Sequence, residues 1–151
     1  MNHKYKLEKN DVIITRSGTV GISKVFNLRN EDIIYIPSGY LIVVKIDENK
    51  LIPEFIEYFL NSLIMKKYFD VFGTGKTQKN ISQTDIKRIP IPSFTKDEQG
   101  AISRIFKKES DKFKREMLNK EQEMLELNKK MNEIIHSMFL RSKVELEVEE
   151  E

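Results

Sequence analysis

The sequence predicts an α+β protein, in which a small domain of mixed β-sheet and helices is followed by a long α-helix that forms a coiled coil. Three features support this prediction. Short apolar runs alternate with Gly and Pro over residues 11–47, apolar residues then recur at helical spacing, and neither Pro nor Gly occurs after Ala101. We expect a first domain over residues 1–94, a long helix over residues 95–141 and a disordered acidic tail over residues 142–151.

Four apolar runs in the first 50 residues have the length and composition of β-strands. Turn residues separate them, among them Gly18, Gly21 and Pro37. Their spacing of roughly 10 residues predicts a compact antiparallel or mixed sheet. The runs are residues 12–14, 25–26, 33–36 and 41–46.

A helix is predicted next, over residues 53–70. Pro53 suits the first turn of a helix, where its missing N–H would have no partner in any case. Apolar residues then recur at steps of three and four, which gives the helix an apolar stripe. Residues 73–80 are polar and follow the helix as a loop.

The segment before the long helix contains two prolines, Pro90 and Pro92. Proline cannot donate a backbone hydrogen bond, so the apolar residues 86–91 are limited to an edge strand or an extended connector. Ser82 and Asp85, just before this segment, have the spacing of a helix cap and are expected to cap a helical turn.

The long helix has a clear start signal and a heptad pattern. Thr95 with Glu98 is a capping-box pair. About 45 helical residues extend on the order of 70 Å. Eight of ten ladder positions are apolar, against 39% of the whole chain, which predicts a coiled coil with an external partner helix. The ladder is Phe106, Ser110, Phe113, Met117, Lys120, Met124, Leu127, Met131, Ile134 and Met138, and its two polar members are candidates for setting register or partner choice.

The residues needed for common enzyme chemistry are missing from the sequence. There is no cysteine, and the two histidines, His3 and His136, lie at opposite ends of the chain. The aspartates at strand ends and turns form no spaced pair of the kind a hydrolase or nuclease uses. We therefore predict no catalytic residue, no metal site and no cofactor, so the chain is not expected to be an enzyme. Its apolar runs are too short for a membrane span, and a cytoplasmic location is expected.

Charge is distributed unevenly along the chain. Residues 1–96 carry 15 basic and 10 acidic side chains, while residues 142–151 carry one lysine and five glutamates. The whole chain has a net charge of only +2. The basic first part favours a polyanionic partner without requiring one.

Residues 73–77 resemble part of a phosphate-binding loop but do not complete it. That motif needs a glycine five positions before the Gly75-Lys76 pair, where this chain has Asp70, and it needs a preceding strand rather than a helix. We therefore exclude nucleotide binding by this motif. Lysine can bind phosphate, and Gln, Asn and Arg can bind base edges, so the loop is a candidate DNA-binding segment.

The candidate DNA-binding residues are Arg16, Lys76, Thr77, Gln78, Lys79, Asn80 and Lys87. Two other interpretations stay open: a solvated polar loop at residues 73–80, and a hairpin turn with an exposed arginine at Arg16.

Several segments, taken in order, resemble the specificity subunits of type I restriction-modification systems. The most specific is GTGKTQKNISQTDIKRIPIPSFTKDEQGAI, residues 73–102, which ends in a proline-containing segment and a Glu-Gln pair that opens the long helix. It follows DVIITRSGTVG, residues 11–21, IPSGYLIVVKID, residues 36–47, and PEFIEYFLNS, residues 53–62. The order and spacing of these pieces carry the resemblance.

The resemblance implies a non-catalytic target recognition domain that reads double-stranded DNA, joined to a helix that acts as a spacer. Such a subunit positions a methyltransferase subunit, which uses S-adenosylmethionine, and an ATP-driven restriction subunit on a bipartite site. About 95 residues precede the helix here, where roughly 150 are expected, so the chain resembles the C-terminal part of one unit and its domain is a partial one.

The helix partner is a second copy of the chain or another specificity half, and the sequence does not decide between them. The alternative function is a truncated coiled-coil assembly or regulatory protein that binds the methyltransferase subunit without reading DNA.

Overall fold

The computed structural model describes residues 6–75 and 79–141, with side chains as far as Phe139. Its elements confirm the predicted fold class, a small antiparallel sheet with helices followed by a long helix. The chain divides into two compact units, residues 1–106 and 107–151. The acidic tail lies outside the described residues. The domain boundaries at residues 94 and 141 stay a prediction.

The sheet has three strands, and all of its pairs are antiparallel. Strand β1 (Val12–Thr15) lies between β2 (Ser23–Val25) and β3 (Leu41–Val44). Val12 and Ile14 are fully buried, whereas the residues that alternate with them are only partly buried. One face of the central strand therefore points into the core. Three of the four predicted runs are confirmed as strands.

The fourth run, residues 33–36, was wrongly predicted as a strand. Ile33, Ile34 and Ile36 are all more than half exposed. The backbone of this run is bonded to another segment at Tyr35, whose carbonyl oxygen accepts from the Leu7 N–H at 2.8 Å. A β-branched run becomes a strand only where a neighbouring strand takes up its backbone groups, and the three-stranded sheet does not extend to this run.

The single helix predicted over residues 53–70 is two helices, α1 (Pro53–Leu60) and α2 (Leu63–Phe72). The break is held by polar side chains. Ser62 caps α2 by accepting a hydrogen bond from the Met65 N–H, 3.4 Å. Asn61 accepts from the N–H of Ser23 at 3.0 Å and donates to its carbonyl oxygen at 2.8 Å. These bonds satisfy the polar groups at the break, and those of Asn61 also tie the end of α1 to β2.

Helix α3 (Gln83–Lys87) begins with a capping box, as the sequence predicted. Ser82 Oγ accepts from the Asp85 N–H at 3.1 Å, and the Asp85 carboxylate accepts from the Ser82 N–H at 3.1 Å. Residues 89–95 contain neither helix nor strand. The predicted segment 86–91 is therefore a connector that starts inside α3, and the edge-strand alternative is wrong because its first residues close the helical turn.

The core of the first unit lies between the sheet, α1 and α2. Glu57 on α1 accepts from the backbone N–H of Val25 and from Lys24 Nζ, both at 2.7 Å, which fixes the helix against β2. The buried apolar residues are Val12, Ile14, Val25, Ile42, Phe55, Ile56, Leu60, Met65, Phe69, Ile81 and Ile89.

Helix α4 (Lys96–Arg141) has 46 residues, and its predicted start is confirmed. Glu98 accepts from the backbone N–H and the hydroxyl of Thr95, both at 2.8 Å, while Thr95 Oγ1 accepts from the Glu98 N–H at 3.3 Å. The next residue, Gln99, is 99% buried. It accepts from the Ile52 N–H at 2.9 Å and donates to the carbonyl oxygens of Lys50 and Phe94 at 3.1 and 2.9 Å.

Within the described part of the chain, no helix combines the length and the apolar character that crossing a membrane requires.

Candidate nucleic-acid interface

Residues 16–21, which we name the turn loop, connect β1 to β2 and are held by local hydrogen bonds. The Gly21 N–H donates to the Thr15 oxygen at 2.9 Å, and Thr15 Oγ1 accepts from the Ile22 N–H at 3.0 Å. Gly21 has φ +88°, and a Cβ there would overlap the ring of Phe69 on α2. Because Gly21 has no side chain, the turn loop can pack directly against α2.

Residues 73–80 are named the polar loop, and its described residues, 73–75 and 79–80, lie against the turn loop. The Gly18 N–H donates to the Lys79 oxygen at 3.2 Å, and the Ile81 N–H donates to the Arg16 oxygen at 2.9 Å. Thr74 and Asn80 exchange two backbone bonds, 2.9 and 2.8 Å, which close the polar loop at its base. Two segments about 60 residues apart in the chain therefore form one polar surface.

Arg16 is half-buried at the junction of the two loops. Its Nε donates a long, weak hydrogen bond of 3.4 Å to Asn80 Oδ1. Among the described residues, no carboxylate lies within ion-pair distance of Arg16. The guanidinium is thus oriented by an amide and keeps its charge available for an anionic or polar ligand.

Lys79 is placed on the same surface but is paired. Its ammonium group forms an ion pair with Asp70 on α2. The hydrogen bond and the charge of Lys79 lower the pKa of Asp70 below its usual value. Both side chains are about half exposed, so this pair is open to exchange with a phosphate.

The structure brings together three of the predicted residues, Arg16, Lys79 and Asn80. Lys87 lines a different cavity, of about 370 Å³, beside Gln83 and β3. The remaining predicted residues, Lys76, Thr77 and Gln78, lie outside the described residues. Whether any member of the set contacts DNA stays a prediction.

Lys66 belongs beside the turn loop, although it was not among the predicted site residues. It lines a groove of about 260 Å³ together with Thr19, Val20, Ile22 and Phe69. Its nearness to the polar loop along the chain was visible in the sequence. Its closeness to the turn loop was not, because it depends on how α2 packs against that loop, where Phe69 lies against Gly21.

The ladder of α4 forms a second candidate surface. Its eight apolar members are all at least 44% exposed on the single chain, and Phe113 and Met138 reach 63%. Large exposed patches of this kind mark interaction sites. The members are Phe106, Phe113, Met117, Met124, Leu127, Met131, Ile134 and Met138, and their role in helix pairing stays a prediction.

In the described part of the chain, no three histidine, aspartate or glutamate side chains are grouped so that they could hold a metal ion.

Comparison with known proteins identifies the family. The model of the type I restriction modification DNA specificity domain matches residues 1–127. The chain belongs to this family. The matched range includes both loops and α4 as far as Leu127. The last ladder residues, Met131, Ile134 and Met138, lie beyond it. A comparison with curated protein sequences gives no match.

A solved structure has the same fold as this specificity domain. The crystal structure of the type I restriction-modification system S subunit from M. genitalium superposes with a TM-score of 0.56 at 24% sequence identity. The alignment covers 93% of this chain and 35% of that subunit. The specificity domain thus spans about a third of the length of the S subunit it matches.

Proposed function

We propose that this specificity domain is the DNA-reading part of a type I restriction-modification complex. In this proposal the turn loop and the polar loop bind the target duplex, and α4 pairs with another helix to set the distance between two half-sites. The chain performs no chemistry itself. It positions the methyltransferase and restriction subunits on a bipartite site. The family assignment and the absence of a catalytic constellation in the sequence support this proposal.

The observation that carries the proposal is the joining of the two loops around Arg16 and Asn80. These two side chains contact each other, and they are of the types that bind guanine and adenine through paired hydrogen bonds. Lys79 precedes Asn80 in the polar loop and Lys66 lines the groove beside the turn loop, and both have the chemistry of phosphate contacts. Side chains of the types that read bases and bind phosphates therefore occur in or beside the two loops, which supports the proposal.

The experiment is a DNA-binding titration of the chain together with the methyltransferase subunit, using a pool of duplexes with a randomised segment. Affinity should fall steeply as salt rises, because bound phosphates release counterions. Sequencing of the retained duplexes should give a consensus. Association that is independent of salt, or no association at low salt, would contradict the proposal.

Two arginine variants separate base reading from simple charge. Arg16→Lys keeps the positive charge but loses the planar fork, so the consensus should weaken while the salt dependence remains. Arg29→Lys, an exposed arginine outside both loops, is the matched control and should leave both unchanged. An intact consensus in Arg16→Lys would remove Arg16 from the reading surface.

A second function is favoured by two observations, the exposed ladder and the pairing of Lys79 with Asp70. A chain with an open apolar helix and a partly neutralised loop surface fits an assembly or regulatory protein that binds the methyltransferase subunit alone. Retention of that subunit without retention of any duplex at low salt would favour this alternative.

A further inference from the structure

The ladder of α4 consists of two rows in which residues recur every seven positions, and one row is almost entirely methionine. Seven residues make nearly two helical turns, so the members of a row lie one above another on the same face. The first row is Phe106, Phe113, Lys120, Leu127 and Ile134, and the second is Ser110, Met117, Met124, Met131 and Met138. We name the four methionines of the second row the methionine row.

Methionine is an unusual residue to fill successive positions of a helix seam. Leucine and isoleucine supply similar apolar volume with fewer rotatable bonds, and they define the packing of paired helices more sharply. The first row uses them at its last two positions, Leu127 and Ile134. The chain has only six methionines, and four of them are in the methionine row. What these four positions share is a thioether sulfur, which leucine lacks.

The methionine row is open to solvent on the single chain. Met117 is 44% exposed, and the other three members are 50–63% exposed. Met65, by contrast, lies in the core and is only 3% exposed. The chain has no cysteine, so methionine is its only residue with a sulfur atom. An oxidant dissolved in water therefore reaches the methionine row far more readily than it reaches Met65.

We propose that the methionine row is an oxidation site that controls helix pairing, with peroxide as the oxidant. The lone pair of each sulfur attacks one oxygen of hydrogen peroxide, and the S–O bond forms as the O–O bond breaks. The sulfur loses two electrons and becomes a sulfoxide. The departing oxygen takes up the proton released by the first oxygen and leaves as water. Methionine sulfoxide reductases reverse the change, one enzyme for each sulfoxide epimer.

Oxidation would turn an apolar line on α4 into a polar one. The methionine row spans 21 residues, about 32 Å of helix, which is most of the length of the ladder. A sulfoxide oxygen loses its bound water when a partner helix covers it, and apolar seam residues offer it no hydrogen-bond donor. This inference rests on the helix pairing in the proposed function. Pairing covers the row and protects it, whereas a chain oxidised before pairing stays unpaired.

Peptide mass spectrometry locates the oxidation. The full chain is treated with hydrogen peroxide at a dilution at which it is monomeric, and samples are taken over time. Each member of the methionine row should gain one oxygen well before Met65 does, because Met65 is buried. In urea-unfolded protein all five should react at similar rates, which is the control. Oxidation of Met65 as early as the row in the folded chain would overturn the site.

Sedimentation equilibrium before and after peroxide measures the effect on pairing, with the chain alone and with the methyltransferase subunit present. Pairing of the wild-type chain should weaken by about a hundredfold or more, because several polar groups would be buried without partners. Treatment with both sulfoxide reductases should restore it. Unchanged pairing of the oxidised wild type would overturn the inference.

Two leucine variants assign the effect to the row. The fourfold variant Met117→Leu, Met124→Leu, Met131→Leu and Met138→Leu keeps the ladder apolar without sulfur, so it should pair equally before and after peroxide. Met65→Leu is the matched control and should remain as sensitive to peroxide as the wild type. Peroxide sensitivity of the fourfold variant equal to that of the wild type would overturn the role of the row.

The untreated samples distinguish this inference from the proposed function. If the chain remains monomeric before any peroxide, both alone and with the methyltransferase subunit, the helix pairing of the proposed function is wrong and the oxidation switch is wrong with it. If the untreated chain pairs and peroxide changes nothing, the switch alone is wrong. DNA binding by the two loops is measured on the unoxidised chain, so its loss would count against the DNA-reading role only.

Discussion

The backbone N–H of Ile52 donates a 2.9 Å hydrogen bond to the side-chain oxygen of Gln99, 47 residues further along the chain. The Gln99 amide nitrogen also donates to two backbone oxygens, those of Lys50 and Phe94. One buried side chain thus joins the residue before α1, the connector and the first turn of α4. The start of the long helix is fixed to the first unit by a polar contact rather than by apolar packing alone.

Replacing Gln99 by leucine should destabilise the first unit by about 2–4 kcal/mol, because the change leaves buried backbone groups without partners. Urea unfolding followed by circular dichroism measures the loss. Gln122→Leu, at an exposed position of the same helix, is the control and should change the free energy of unfolding by less than about 0.5 kcal/mol. Equal effects of the two variants would contradict the role given to Gln99.

Gly21→Ala should be destabilising for two reasons, a positive φ and an overlap with the ring of Phe69. We expect a loss of about 2–4 kcal/mol in the free energy of unfolding. Gly18→Ala separates the two causes, since Gly18 also has a positive φ but nothing lies within 4 Å of its added Cβ. That variant should lose only about 1–2 kcal/mol. Thermal unfolding of both proteins checks the difference, and a milder effect at Gly21 would show that Phe69 moves aside.

Asp70→Asn should strengthen DNA binding, because it releases Lys79 from its ion pair. One additional phosphate contact makes the slope of log affinity against log salt steeper by about 0.9. Fluorescence anisotropy at several salt concentrations measures it, with the methyltransferase subunit present. Asp47→Asn, which removes a carboxylate paired with Lys50 outside both loops, is the control. An unchanged slope in Asp70→Asn would indicate that Lys79 makes no phosphate contact.

The start of α4 should weaken in acid. Hydrogen bonds from the backbone and side chain of Thr95 lower the pKa of Glu98 below its usual value of 4.5. A lowered pKa in the folded state means that the stabilisation is present above the unfolded pKa and is lost as pH falls through the folded one. The melting temperature should therefore fall less between pH 5 and pH 3, roughly, in Glu98→Gln than in the wild type.

The control for this acid effect is Glu126→Gln, an exposed carboxylate in the middle of the same helix. It should keep the wild-type dependence of melting temperature on pH. If the melting temperature fell equally with pH in Glu98→Gln and in the wild type, the capping box would not contribute to acid sensitivity.

Charges introduced into the ladder should abolish helix pairing. Met124→Asp combined with Leu127→Asp places two carboxylates at adjacent seam positions, where they must be desolvated to pair. Light scattering after size-exclusion chromatography should give a monomer mass. Leu118→Asp with Leu125→Asp is the control, since these residues are as exposed as the ladder but lie off it. A monomer from the control and a dimer from the ladder variant would show that the seam was wrongly assigned.

Local signals in the sequence predicted much of the fold. The capping boxes at Ser82 and Thr95 and the β-branched run at β3 depend on residues within a few positions of each other. The break between α1 and α2 was missed because apolar spacing continues across Asn61 and Ser62. What breaks the helix there is partly the bonding of Asn61 to Ser23, a residue of another element.

The candidate site was predicted in part. Arg16, Lys79 and Asn80 were chosen by residue type, but nothing in the sequence indicated that Arg16 and Asn80, 64 positions apart, contact each other. Lys87 was grouped with them because it is close in the chain, yet it lines a different cavity. Lys66 was passed over because only the packing of α2 brings it beside the turn loop.

The sequence by itself determined the long helix, its start at the capping box and the spacing of its apolar ladder, since helix formation and heptad periodicity depend on neighbours within one or two turns. Only the tertiary structure decided which polar loops share a surface and that Gln99 is buried at the start of α4. Those features depend on contacts between residues far apart in the chain, where each side chain is placed by the packing of elements to which it does not belong.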